Sequence, residues 1–231
     1  AQTVPAARLG DTVVWDSLAL AEELASRHPE AGHWPADPDE RALARSMAAE
    51  MHSSFSALRT HCAMNLHTAY SGVPVPDAVR ADLDRIEQLW SRADGWLFGD
   101  YTAVDAFFAP VAMRIAGHDL PVSRTTRAYV ERHLAHLPLR RWRALGTATD
   151  AVLPVYEREW TRAPWPGLAP MPARAVEGTE AENVACPYSG KPVTHVLEME
   201  GRRWGFCNAT CRDKTVNDPE AWPAFMSLVR G

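Results

Sequence analysis

The sequence predicts a mainly α-helical protein, with a short β-β-α segment at its start and a small ββα module at its end. Three observations lead to this fold class. Apolar residues recur at the helical period over 38–160, a Pro-led segment with a short apolar run precedes the first helix, and three of the four cysteines fall within 186–211. A chain of 231 residues, 46% of them hydrophobic, is long and apolar enough to bury a sizeable core.

The first segment, residues 1–28, is expected to fold as strand, turn, strand and helix. A turn followed by a short apolar strand accounts for residues 10–15. Asp16 or Ser17 can cap the helix that follows, because short oxygen-bearing side chains accept hydrogen bonds from the first backbone N–H groups of a helix. We expect this helix to bury the leucines along one side, namely Leu18, Leu20 and Leu24.

Residues 38–160 are predicted to be helical throughout, because apolar residues stand three or four positions apart and no strand-like alternation interrupts them. Thr102 and Asp105 precede one apolar run and predict a capping box at the start of a helix. The segment is therefore expected to form an all-α bundle. Its stripes are Leu43, Met47, Met51, Phe55 and Leu58; Val79, Leu83, Ile86 and Trp90; Val104, Phe107, Phe108, Val111 and Ile115; and Val130, Leu134 and Leu137.

The end of the chain is predicted to be a separate module. Residues 161–183 are rich in proline, keep no period and are interpreted as a linker. Residues 184–231, which we call the cysteine module, hold two short strands, a turn at Glu200-Gly201 and a short helix.

Charge and composition exclude several classes of function. The chain carries 24 basic and 29 acidic residues, a net charge of −5, and its basic residues form no stripe, which argues against a nucleic-acid surface. No apolar run approaches the roughly 20 residues of a membrane-spanning helix, and no secretory leader is visible, so no membrane partner is expected. A cluster with an odd number of cysteines, here three, favours metal or redox chemistry over a disulfide framework.

Two residue pairs, Val4-Pro5 and Asp16-Ser17, with a strand between them, resemble the second half of the thioredoxin-like domain of glutathione transferases. The resemblance implies that Val4, before a cis Pro5, pairs through its backbone with glutathione. Ser17 would hold the γ-glutamyl carboxylate at the positive end of a helix, and Asp16 would pair with the α-ammonium group. The same Asp-Ser pair is also an ordinary helix N-cap, and that alternative stays open.

The capping box at Thr102 and Asp105 is similar to the one that begins the central helix of the α domain in this family, and there it is structural. The resemblance thus implies a partial thioredoxin-like domain over 1–28 and the transferase α domain over 38–160. It also implies a cytoplasmic homodimer that attaches the thiolate of glutathione, its co-substrate, to a small electrophile, or uses that thiolate for isomerisation or reduction.

In such proteins the first long helix of the α domain and the loop after it line the pocket for the electrophile. By position these residues are Met51, His52, Phe55, Arg59 and Asn65. For Met51 and Phe55 a place in the core is slightly favoured over the pocket, whereas the polar heads of His52 and Arg59 need water or a ligand. Arg59 suggests an electrophile that carries an anionic group. Cys62, with no base that can be placed beside it, is interpreted as an inert thiol.

The family residue that activates the glutathione thiol (Ser, Tyr or Cys) belongs to elements that would precede Ala1. We therefore expect that the chain begins within a domain, binds glutathione weakly at most, and does not turn it over. The full protein would be the enzyme. A different class stays open: a non-catalytic transferase-like scaffold, or a metal or redox sensor that acts through the cysteine module. An unrelated all-α interaction domain would explain the helices but not the two residue pairs.

The cysteine module contains the sequence CPYSG, then GFC, a further cysteine and an Asp-Pro pair. This pattern resembles that of small treble-clef-like metal-binding modules of the TRASH/YHS type. The resemblance implies a structural Zn²⁺ site, and soft thiolates also suit Cu(I). Ser189 stands where the second cysteine of a CxxC knuckle is usual, so the fourth ligand is His195, a water or nothing. A metal-free module with buried cysteines is the alternative. The predicted ligands are Cys186, Cys207, Cys211 and His195.

Overall fold

In this computed structural model the described residues are 4–149 and 153–231, and about half of them are helical, with small antiparallel sheets. They divide into two compact units. One comprises 4–64 with Val73–Val130, and the other comprises Asn65–Gly72 with the described part of Glu131–Gly231. Among the described residues no helix is both long enough and apolar enough to cross a membrane.

The first unit begins with a hairpin and a helix, as the sequence predicts. Strands β1 (Ala6–Leu9) and β2 (Thr12–Trp15) are antiparallel, with Ala6 opposite Trp15, and α1 (Ser17–Arg27) follows. One expectation is wrong: α1 buries none of its residues, and Leu24 is 41% exposed. The spacing of the leucines predicts an apolar stripe on α1, but the described part of the chain does not pack closely enough against the helix to cover that stripe.

The remaining helices of this unit are α2 (Pro38–Ser53), α3 (Ser56–His61), α4 (Asp77–Trp90), α5 (Ala103–Gly117) and α6 (Arg124–Ala135), the last of which runs on into the second unit. The predicted stripes form the core with few exceptions. All four stripe residues of α4 are buried, whereas Leu43 on α2 is 43% exposed. The ring of Trp90 packs edge-on against Phe108 at 5.5 Å and Tyr129 at 4.6 Å between centroids.

The predicted capping box is confirmed at the start of α5. Thr102 and Asp105 exchange hydrogen bonds, with the Thr102 backbone N–H donating to Asp105 Oδ2 at 2.9 Å. The fully buried Asp105 also accepts from the backbone N–H of Leu97 at 3.1 Å and from the hydroxyl of Tyr129 at 2.7 Å. One carboxylate therefore joins the cap of α5 to the preceding loop and to α6.

The second unit contains two small sheets. Strand β3 (Ala69–Ser71) pairs with β4 (Thr161–Ala163), and α7 (Leu137–Gly146) belongs to the same unit. Strands β5 (Ala173–Val176), β6 (His195–Met199) and β7 (Arg202–Phe206) form an antiparallel sheet in that order. Helices α8 (Ala209–Asn217) and α9 (Pro223–Arg230) complete the unit. The core residues include Cys186, Leu197, Met199, Trp204, Phe206 and Phe225.

Two sequence expectations fail here. The segment predicted as wholly helical contains β3, and the predicted linker contains β4 and β5. Strands of three or four residues are too short to show a period, and their partners are distant in sequence.

Helix α7 packs against the cysteine module inside this unit. Arg140 forms a bidentate ion pair with Asp218 at 2.9 and 2.7 Å, and both side chains are less than 15% exposed. Arg141 donates to the Ala221 carbonyl at 2.7 Å, and the amide of Asn217 donates to the Ala144 carbonyl at 3.2 Å. The module is thus joined to the last helix of the preceding segment by buried polar contacts.

Candidate functional sites

A cleft of about 420 Å³ lies in the first unit, at the N-terminus of α1 and against α2, α3 and α5. Four residues named from the sequence lie around it, one of them Ser17 at the first position of α1. Its wall joins apolar side chains to the cationic head of Arg59. The lining residues are Ser17, Met51, His52, Arg59, Ala106, Phe107 and Pro110.

Asp16 caps α1 next to this cleft. Its backbone has a φ of 75°, and its Oδ1 accepts hydrogen bonds from the N–H groups of Leu18 at 2.9 Å and Ala19 at 3.4 Å. Its Oδ2 lies 3.0 Å from Nε2 of His52. The pKa of Asp16 is lowered, chiefly by the hydrogen bond from the N–H of Leu18 and less by the N–H of Ala19 and by His52, while desolvation opposes this shift. The carboxylate is therefore ionised at neutral pH, with the helix N-terminus and an imidazole facing it.

His52 and Arg59 are held together at the end of α2. Arg59 donates through Nη1 to the carbonyl oxygen of His52 at 3.1 Å, and the imidazole packs edge-on to the Phe107 ring at 6.4 Å between centroids. Both polar side chains are exposed. A cation, an imidazole and an aromatic face thus share one wall, which suits a ligand with an anionic group and an apolar body.

Other predicted residues lie outside the lining of the cleft. Phe55 is only 4% exposed and has a φ of 61° at the start of α3. Asn65, in the second unit, accepts from the N–H groups of His67 and Thr68 through its own side chain. The Val4-Pro5 peptide bond is cis and Val4 is 92% exposed. Their assigned roles remain predictions.

Sequence reasoning missed the contribution of α5 to the cleft, made by Ala106, Phe107 and Pro110. Phe107 was assigned to the buried stripe, yet it is only half-buried, while its neighbour Phe108 is fully buried. Two adjacent aromatic residues cannot share one face of a helix, and this signal could have identified Phe107 as a candidate lining residue. Cys62, by contrast, is fully buried in the first unit.

A second candidate site lies in the cysteine module. Within residues 4–149 and 153–231, the only group of three or more potential metal-ligating side chains comprises Cys186, Cys207 and Cys211. Their sulfur atoms all lie within 4.8 Å of one another, and Cys207 Sγ is 4.0 Å from Cys211 Sγ. An ion about 2.3 Å from each sulfur in a tetrahedral site would hold the sulfurs about 3.8 Å apart, so the donor set fits Zn²⁺.

Local structure brings these sulfurs together. Cys186 begins a tight turn in which its backbone N–H donates to the Lys191 carbonyl at 2.9 Å and its carbonyl accepts from the N–H of Gly190. Asn208 caps α8 by accepting from the N–H of Cys211 at 2.8 Å, which places Cys211 in the first turn. The turn and the helix start thus present one and two sulfurs, respectively, to the same point.

The thiols differ in their electrostatics. Burial opposes ionisation of Cys186, but hydrogen bonds from the backbone N–H groups of Tyr188 and Cys207 and from Ser189 outweigh it and lower its pKa to about 7. Burial, and next the charge of Cys186, raise the pKa of Cys211 to about 11. The thiolate of Cys186 is therefore stabilised near neutral pH, whereas ionisation of Cys211 would need a bound cation.

His195 does not join the group of three sulfurs. It lies at the start of β6, and its Nδ1 is 2.9 Å from the hydroxyl of Thr194. Ser189 does lie at the cluster, since its hydroxyl donates to Cys207 Sγ at 3.2 Å. The role of His195 as a fourth ligand remains a prediction.

Comparison with known proteins gives similarities among solved structures. No family model matches the chain, and no curated protein does. Among solved structures, the chain is similar to the crystal structure of a glutathione transferase homolog from Burkholderia GL BGR1 with bound glutathione. The two share 26% sequence identity over 61% of this chain and 71% of that chain, with a TM-score of 0.47. A similarity of this size does not establish a shared fold, so the family assignment belongs to the proposal that follows.

Proposed function

We propose that this is a glutathione transferase-like protein, whose cleft holds glutathione at the N-terminus of α1 and turns its thiol toward a small electrophile. The observation that carries the proposal is the position of Ser17. It is the first residue of α1 and lines a cleft whose other walls are apolar side chains, the imidazole of His52 and the guanidinium of Arg59. A helix N-terminus favours a carboxylate, and glutathione has one beside its α-ammonium group.

The neighbouring residues suit the rest of the ligand. Asp16 supplies a carboxylate for the α-ammonium group, in competition with His52, which already faces it. Phe107 and Met51 offer apolar surface to the electrophile, and Arg59 offers a positive charge. In the reaction the thiolate sulfur bonds to the electrophilic carbon, and the leaving group departs with its electron pair. We assign to none of the described residues the role of lowering the pKa of the glutathione thiol. The electrophile, the homodimer and the cytoplasmic location remain predictions.

The binding step is tested by titrating isotope-labelled protein with glutathione and following backbone amide signals by NMR. We expect millimolar affinity, equivalent to about −4 kcal/mol, with the largest shifts at Ser17 and Leu18. Ser17→Ala should weaken binding about five-fold or more, because it removes a hydrogen bond to a charged group. Ser46→Ala, an exposed serine on α2, is the matched control. Saturable shifts that ignore Ser17→Ala, or no shifts at α1, would contradict the proposal.

We also propose that Cys186, Cys207 and Cys211 bind Zn²⁺ as a structural ion. The support is the proximity of three sulfurs, within 4.8 Å, in a region with a small core of its own. The test is zinc content by mass spectrometry of the purified protein. Cys207→Ser should lose the metal, whereas Cys62→Ala, which removes the thiol outside the cluster, should keep it. Equal zinc in the Cys207→Ser protein would refute the site.

A further inference from the structure

Three protein ligands leave one position of a tetrahedral zinc site to be filled. The group of potential ligands within the described residues stops at three sulfurs. Ser189 lies beside them, with its oxygen 3.2 Å from Cys207 Sγ, but a neutral hydroxyl is not among the side chains that ordinarily ligate zinc in proteins. A zinc ion held by three protein ligands completes its tetrahedron with a water or another external ligand, so a structural role for the ion leaves this fourth position exchangeable.

The side of the cluster that carries Ser189 is open to solvent. Cys186 is buried and the other two cysteines are half-buried, whereas Ser189 and Gly190 are exposed. A small molecule can therefore approach the sulfurs from this side without displacing the core. The exposed amide of Asn208, whose Nδ2 is 3.4 Å from Cys207 Sγ, also lies at this edge.

The local charge favours an anionic ligand. Lys214 on α8 holds its ammonium group 3.9 Å from the ring centroids of both Tyr188 and Trp222. This cation, three residues after Cys211, would offset the excess negative charge that a fourth anionic sulfur brings to a site already made of three thiolates.

We propose that Ser189 keeps the fourth position of this site free for a small external thiol, with glutathione as the candidate. This deepens the proposed zinc site and rests on it. A soft thiolate is the ligand that matches the other three. As the thiol sulfur bonds to the metal, its proton passes to solvent and the ligand it replaces leaves as water, so no oxidant or reductant is needed.

The test uses the full chain loaded with Co²⁺, whose thiolate-to-metal charge-transfer absorption scales with the number of bound thiolates. Glutathione should raise this absorption per cobalt by about one third, as three thiolates become four. S-methylglutathione, which has no thiol, should leave it unchanged. Ser189→Ala should keep the response, and Ser189→Cys should start at the four-thiolate intensity and show none.

The outcomes separate the two proposals. If the wild-type protein shows a three-thiolate spectrum that does not change at saturating glutathione, the proposal of an exchangeable fourth position is refuted and the proposed metal site stands. A Ser189→Cys protein that still gains absorption on addition of glutathione also overturns it, because its fourth position should be filled. Failure of the wild-type chain to bind cobalt overturns both the metal site and this inference.

Discussion

Replacing Asp105 with alanine should be among the most destabilising single changes in the first unit. The carboxylate is fully buried and accepts from the Leu97 N–H, the Thr102 N–H, the Thr102 hydroxyl and the Tyr129 hydroxyl, at 3.1, 2.9, 3.2 and 2.7 Å. Burial and the adjacent Asp105 charge also raise the pKa of Tyr129, so its hydroxyl stays protonated and needs an acceptor. Alanine would leave all four donors without this acceptor at a fully buried position.

The magnitude follows from those donors. Each buried donor left unsatisfied costs about 1–3 kcal/mol, and these costs are not additive because the four donors share one site, so we expect a loss of about 3–5 kcal/mol. Tyr129→Phe removes one donor together with its need for an acceptor and should cost only about 1 kcal/mol. Asp105→Asn keeps one acceptor oxygen and should fall between the two.

The assay is urea unfolding followed by tryptophan fluorescence, since Trp90 packs on Tyr129 in this core. The comparison is between the free energies of unfolding of Asp105→Ala, Asp105→Asn and Tyr129→Phe, each measured against the wild-type protein. A cost below about 1 kcal/mol for Asp105→Ala would refute the reasoning, because it would mean that the donors find other partners at no cost.

Three further predictions concern other parts of the chain. Burial lowers the pKa of His133 from 6.5 to about 3, so as pH falls the unfolded chain binds a proton at this residue before the folded chain does. The free energy of unfolding should therefore decrease by about 2 kcal/mol between about pH 7 and pH 5, as measured by urea titration. His133→Gln should abolish this part of the pH dependence. A Cβ at Gly205 would lie 2.4 Å from the Val193 Cγ2, so Gly205→Ala should lower thermal stability by about 1–3 kcal/mol, and adding Val193→Ala should restore part of it. His52→Gln removes the competitor for Asp16 and should tighten glutathione binding about two- to five-fold by NMR titration; weaker binding would contradict the assigned competition.

Local signals in the sequence were the dependable ones. The capping box needs only Thr102 and Asp105, three positions apart, and the stripe of α4 needs only its own spacing; both are confirmed. The clustering of Cys207 and Cys211 also follows from a separation of four residues at a helix start.

Signals that depend on distant partners were lost. The contact of Asp16 with His52 joins residues 36 positions apart, and no periodicity reports it. Strand β5 has four residues and acquires its identity only by pairing with β6. The exposure of α1 has the same origin, because an apolar stripe predicts a face that can be covered and does not supply the surface that covers it.

The ion pair between Arg140 and Asp218, together with β5, has a consequence for how this part of the gene can be moved. A domain boundary at residue 184 would remove strand β5 from the sheet, and it would leave the buried carboxylate of Asp218 without the guanidinium of Arg140. An unpaired buried carboxylate destabilises by about 3–5 kcal/mol, comparable with the entire stability of a small domain. We therefore expect that residues 184–231 alone do not fold stably, and that a fusion with another protein should include the chain from α7 onward.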